Sequence, residues 1–106
     1  MARIVTMQDL SCVGQCSLTV ALPILSACGV ETCVLPSAVL SNHTAFSDFT
    51  FRDLTDDLSD ILERWETLGF RFDALYTGYL GNARQIAMVK ALKERVLTEQ
   101  APVYID

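Results

Sequence analysis

Three short segments collect side chains able to hold a small polar ligand. Ser41-Asn42-His43-Thr44 supplies hydroxyls, an amide and an imidazole in one run. Gly78-Tyr79-Leu80-Gly81 flanks an aromatic ring and its hydroxyl with glycines, which let a backbone approach a ligand or take a positive φ. Asp9 to Gly14 opens on a carboxylate and ends on a glycine. A further acid, Asp106, closes the run Val103-Tyr104-Ile105-Asp106, which reads as a buried strand. Each has a plainer reading beside the functional one. Tyr79 could simply pack in a tight strand-to-helix turn, His43 could be an ordinary surface imidazole, and Asp106 a terminal acid.

The surrounding pattern places these segments at strand carboxyl ends, where open α/β sheets bind ligands. Arg3 to Gln8 is a short β-branched apolar run fit for a central strand. From Cys16 to Cys28 apolar residues recur at helical spacing, with Leu18, Leu22 and Leu25 on one face, and Pro23 predicts a kink or break. Glu31 to Leu40 reads as a second strand, where Pro36 argues for an edge or a bend. Ser41 to Thr50 has no helical period and reads as an exposed functional loop; Phe51 to Leu54 is a short strand or an extended approach. Thr55 is expected to cap a helix to about Thr67, with stripe Leu58, Ile61, Leu62 and Trp65, and Gly69 closing it. Phe72 to Thr77 is the next strand. Asn82 then caps a helix from Ala83 to about Thr98 with Ile86, Val89, Leu92 and Val96 facing inward, and Pro102 leads to the last strand. The order predicts an α/β fold of three layers, a mainly parallel sheet with helices on both faces.

Composition narrows the functions. The formal charge of −5 repels a phosphate backbone, which argues against nucleic acid as a main partner. The longest apolar stretch, Leu18 to Val30, is too short and too interrupted to span a membrane, and Gln8 and Asp9 break any secretory start. The chain reads as cytoplasmic. Cys12, Cys16, Cys28 and Cys33 lack zinc-site spacing and read as reduced, buried small hydrophobes, with Cys12 the one expected in the open. The first loop lacks both the dinucleotide fingerprint and the Gly-Lys-Ser/Thr of a phosphate loop.

Taken together, I-V-T-M-Q-D-L-S-C-V-G-Q-C-S-L-T-V-A-L-P, V-L-P-S-A-V-L-S-N-H-T, F-R-D-L-T-D-D and Y-T-G-Y-L-G resemble the N-terminal part of pyridoxal (pyridoxine/pyridoxamine) kinases, of the ribokinase-like superfamily. The resemblance runs through nearly the whole chain. It implies transfer of a phosphoryl group from ATP, with Mg²⁺, to the 5′-hydroxymethyl group of a vitamin B6 vitamer, in a protein that acts as a homodimer. By position it places Asp9 where many relatives carry a serine that contacts the pyridine ring. A carboxylate there could accept from a protonated ring nitrogen or the 3-hydroxyl. It further implies that Leu10 and Val13 line the pocket, that Thr44 and Ala45 sit beside the substrate, and that Tyr79 stacks on one face. His43 is expected to order its loop rather than catalyse. Asp106 matches the first residue of the family's D-P-V-M-G-D segment, which helps organise ATP and its metal.

The family's catalytic aspartate sits in a glycine-rich loop that these 106 residues do not contain. The expectation is therefore a segment of one kinase domain, cut after its fourth core strand and inactive alone. Two rivals stand beside it: a non-catalytic α/β module that binds a small ligand or forms an interface, and a hydroxymethylpyrimidine kinase of the same superfamily.

Overall fold

A computed structural model describes residues 2–14, 16–78, 80 and 82–105. Their order is β1 (Arg3–Ser11), α1 (Leu18–Ala27), β2 (Glu31–Leu40), β3 (Phe51–Asp53), α2 (Thr55–Leu68), β4 (Ala74–Thr77), α3 (Ala83–Arg95) and β5 (Val103–Ile105). They form one sheet in the order β3-β2-β1-β4-β5, parallel throughout except for β3, which runs antiparallel to β2. The chain moves from β1 to β2 in one direction and from β2 past β1 to β4 and β5 in the other. Right-handed crossovers then put α1 on one face and α2 with α3 on the opposite face. The result is a three-layer α/β fold.

Side-chain alternation along β1 follows from this sandwich. Val5 and Met7 join Leu35, Leu75, Leu58, Leu62, Met88 and Leu92 in the core under α2 and α3. Ile4, Thr6 and Gln8 are buried on the alternate face, where α1 packs on β1 and β2 through Leu18 and Ala21. Of the kink or break expected at Pro23, the break does not occur: α1 runs on through it as helix. Pro23 is exposed, so the carbonyl that loses its helical partner can turn to water. Pro36 instead marks a bulge. Gln8 pairs with Pro36 but Leu10 with Val39, so β2 spends one more residue than β1 over that interval. β1 consequently extends to Ser11, and Asp9 and Leu10 lie within a strand rather than in a loop.

Other expectations need correcting. α3 turns Gln85, Met88 and Leu92 inward, spaced three and four apart, which leaves Ile86 49% exposed. α3 also stops at Arg95, because Val96 and Thr98 hydrogen-bond the backbone of Phe72 (2.8 and 2.9 Å). β5 is the outermost strand, and Tyr104 and Ile105 are 60% and 59% exposed rather than buried. None of the cysteines is fully buried; Cys28 is as open as Cys12, at the exposed end of α1.

The start of α2 also differs. Thr55 is the first helical residue, and Asp53 serves it from outside, accepting from its amide (3.1 Å) and its hydroxyl (2.6 Å). Those bonds hold the Asp53 carboxyl below its ordinary value, the hydroxyl contributing most. A depressed folded-state pKa adds stability above the unfolded pKa and loses it as pH falls through the folded one. Asp53→Asn should therefore flatten the acid side of a melting-temperature profile below about pH 4. An unchanged acid limb would show that this carboxylate does not contribute.

Candidate functional site

The sheet changes winding direction between β1 and β4: the chain leaves β1 toward α1 on one face and β4 toward α3 on the other. Such divergence opens a crevice at the carboxyl ends of the strands. A cleft of about 400 Å³ lies there, within the usual range for a small-molecule site. Its polar lining comes from Asp9, Ser11, Ser17, Ser37, Thr44 and Gln85. Leu40 and Phe51 add apolar wall. A larger groove of about 560 Å³, between Lys93, Thr98 and Gln100, opens near the amino ends of β4 and β5, away from these loops.

Backbone contacts lace the first two loops together. Cys12 donates to the Leu40 carbonyl (2.9 Å) and His43 to the Val13 carbonyl (2.8 Å). Gly14, at φ 102°, lies so close that a β-carbon there would stand 2.7 Å from the His43 β-carbon. The Ser41–Thr50 loop is then ordered largely by its own side chains. Ser41 Oγ accepts from Thr50 N (2.9 Å), and Asn42 Nδ2 donates to the Asp48 carbonyl (2.9 Å). His43 Nδ1 accepts from Ala45 N (2.8 Å), so in the neutral ring the proton sits on Nε2.

The carboxylate end is built differently. Ser17 occupies φ 52°, ψ −118°, a region that suits glycine. Its Oγ lies 2.8 Å from both Gln8 Oε1 and Asp9 Oδ1. Gln8 is buried, and Gly78 at the end of β4 leaves room for it: a β-carbon on Gly78 would overlap the Gln8 amide.

Of the residues singled out above, Asp9 and Thr44 line the cleft, and His43 does not. Leu10, Val13 and Ala45 do not line it. Leu10 is half-buried beside Val39, Val13 is 60% exposed and contributes its carbonyl to His43, and Ala45 is exposed with its amide engaged by the same imidazole. Tyr79 and Asp106 lie outside the described residues. The structure adds Ser11, Ser17, Ser37, Phe51, Gln85 and, behind them, Gln8. Among the described residues no group of three or more His, Cys, Asp or Glu side chains could hold a metal ion, and no helix is long and apolar enough to cross a membrane. The residue that the resemblance assigns to the Mg²⁺ and nucleotide side, Asp106, is not among them.

No protein-family model matches the chain, and no curated protein does. Solved structures do. A Bacteroides thetaiotaomicron VPI-5482 protein, named for phosphomethylpyrimidine kinase activity and crystallised in one form with pyridoxal, superposes at TM-score 0.91 with 45% identity. That match covers 99% of this chain and 36–37% of the other. Pyridoxal kinase from Lactobacillus plantarum matches at TM-score 0.88 and 28% identity, over 100% of this chain and 38% of its own. Pyridoxal kinase from Leishmania donovani, solved with ADP and pyridoxamine, matches at TM-score 0.78 over 100% of this chain and 39% of its own; at 17% identity it speaks for the fold alone. The chain thus spans little more than a third of the length of these structures.

Proposed function

We propose that this chain, whose fold is that of a segment of the ribokinase-like pyridoxal and phosphomethylpyrimidine kinases, forms the substrate pocket of a kinase that phosphorylates the 5′-hydroxymethyl group of pyridoxal, pyridoxine or pyridoxamine. The carrying observation is 45% identity across 99% of the chain with a protein crystallised with pyridoxal. The cleft supports the reading through its size and its chemistry. Leu40 and Phe51 suit the faces of a flat ring, while Asp9, Ser11 and Thr44 suit its polar edge. Asp9 would accept from the ring, Thr44 would sit beside the substrate, and Tyr79 would stack on it. His43 would act through the loop it orders. Leu10, Val13 and Ala45 would shape the loops rather than touch the ring.

Phosphoryl transfer needs a base for the attacking hydroxyl and donors for the phosphates. When bound, MgATP supplies the phosphoryl group, and Asp106 is the residue of this chain proposed for that side of the site. We also propose that the active protein is a cytoplasmic homodimer. A second reading, a hydroxymethylpyrimidine kinase, is favoured by the name of the same Bacteroides protein.

The test is an ATP-dependent phosphorylation assay on the complete gene product, with pyridoxal and a hydroxymethylpyrimidine in parallel. Preference for pyridoxal supports the first reading, turnover of the pyrimidine alone supports the second, and turnover of neither overturns both. Tyr79→Ala should weaken pyridoxal binding about fivefold, since an aromatic face contributes about 1 kcal/mol. Equal affinities in a titration would remove the stacking role.

A further inference from the structure

Ser17 carries one hydroxyl proton and lies 2.8 Å from two groups able to accept it, Gln8 Oε1 and Asp9 Oδ1. A carboxylate is the stronger acceptor, so the proton goes to Asp9. The Gln8 amide can then turn about its terminal torsion and present Nε2–H to Ser17 Oγ with no change of shape. The outcome is a directional chain, Gln8 to Ser17 to Asp9, that runs from the buried interior to the cleft wall.

Two independent features maintain this arrangement. Ser17 is held in a backbone conformation unfavourable to any side chain, which persists only where the surroundings over-determine it. Gly78, just after the neighbouring strand β4 and far away in sequence, leaves the space that the Gln8 amide fills. Asp9 is also the one carboxylate among the residues described as lining the cleft. An acceptor fixed in this way favours a ligand edge that donates a hydrogen bond and disfavours an anionic one.

We propose that Gln8 and Ser17 are a positioning pair for Asp9, which makes Asp9 the specificity-determining acceptor for a ring N–H⁺ or ring hydroxyl. This rests on the functional reading above and deepens it.

Ser17→Gly separates positioning from stability, because it relieves the backbone strain while it removes the hydroxyl. In the complete gene product it should melt no lower than the unaltered protein yet bind pyridoxal about tenfold more weakly, the loss of one hydrogen bond to a charged group. Gln8→Ala should weaken binding to a similar degree, and the double variant no further, since both act through one chain. Gly78→Ala should lower the melting temperature by crowding Gln8, and Gln8→Ala in the same protein should restore it. Unchanged affinity in Ser17→Gly or Gln8→Ala, or losses that simply add, overturns the positioning role alone. If the unaltered protein binds neither pyridoxal nor a hydroxymethylpyrimidine, the functional reading falls and this role with it.

Discussion

Replacing Phe72 with alanine is expected to remove about 3–5 kcal/mol of folding stability. Phe72 is 1% exposed and is the largest of the fully buried side chains. Its ring meets Trp65 of α2 at 5.0 Å between centroids, tilted by 48°, and it packs in the same cluster as Leu92, Val96 and Leu97. The backbone cannot relax into the vacated space, because Phe72 N donates to the Val96 carbonyl and Thr98 N to the Phe72 carbonyl. The lost ring therefore leaves a cavity rather than a collapse. A domain of this size has about 5–15 kcal/mol in all, so the variant should sit near the edge of folding. Urea denaturation should show a much lower midpoint at nearly unchanged slope. Phe72→Leu should lose distinctly less. A loss below about 1 kcal/mol for the alanine would mean that the core closes over the gap and that Phe72 is not its keystone.

That residue also shows where sequence reading stops. The strand around Phe72 was legible from its apolar run, yet β4 proper begins at Ala74, and Phe72 belongs to an isolated bridge with Leu97. No local pattern announces a pairing across the end of a helix. α2 was legible almost throughout: Leu58 and Leu62 are buried, Ile61 and Trp65 pack against the core, and Gly69 takes the left-handed cap. Its stripe alternates with charges, which gives periodicity a clear phase. α3 carries apolar residues on more than one face, so its phase is ambiguous in the sequence, and Gln85 rather than Ile86 turns inward. Of the residues that stand out by type, Asp9 and Thr44 line the cleft. Ser17 and Gln8 are not legible in the sequence, because their importance lies in a strained backbone and in Gly78, which follows another strand. Neither leaves a trace in spacing.

The close approach of the two loops gives the second large expected effect, Gly14→Ala. Two penalties coincide at this position. At φ 102° an L-residue is strained by about 1–3 kcal/mol, and the new methyl would stand 2.7 Å from the His43 β-carbon, where overpacking adds about 1–3 kcal/mol. His43 cannot simply retreat, because its amide is fixed to the Val13 carbonyl and its ring to the Ala45 amide. Relief must come from parting the loop after β1 from the loop after β2, which moves Thr44 away from Asp9. The variant should therefore melt lower and also lose affinity for pyridoxal in the fraction that stays folded. His43→Gly removes the colliding β-carbon but not the strain at position 14. Combined with Gly14→Ala it should recover the overpacking part of the stability loss and leave the strain part, whereas affinity should stay low because the imidazole that orders the loop is gone. Full recovery of stability would assign the whole effect to the clash, and no recovery would assign it to the backbone. Recovery of affinity as well would show that pyridoxal does not depend on the loop that His43 orders.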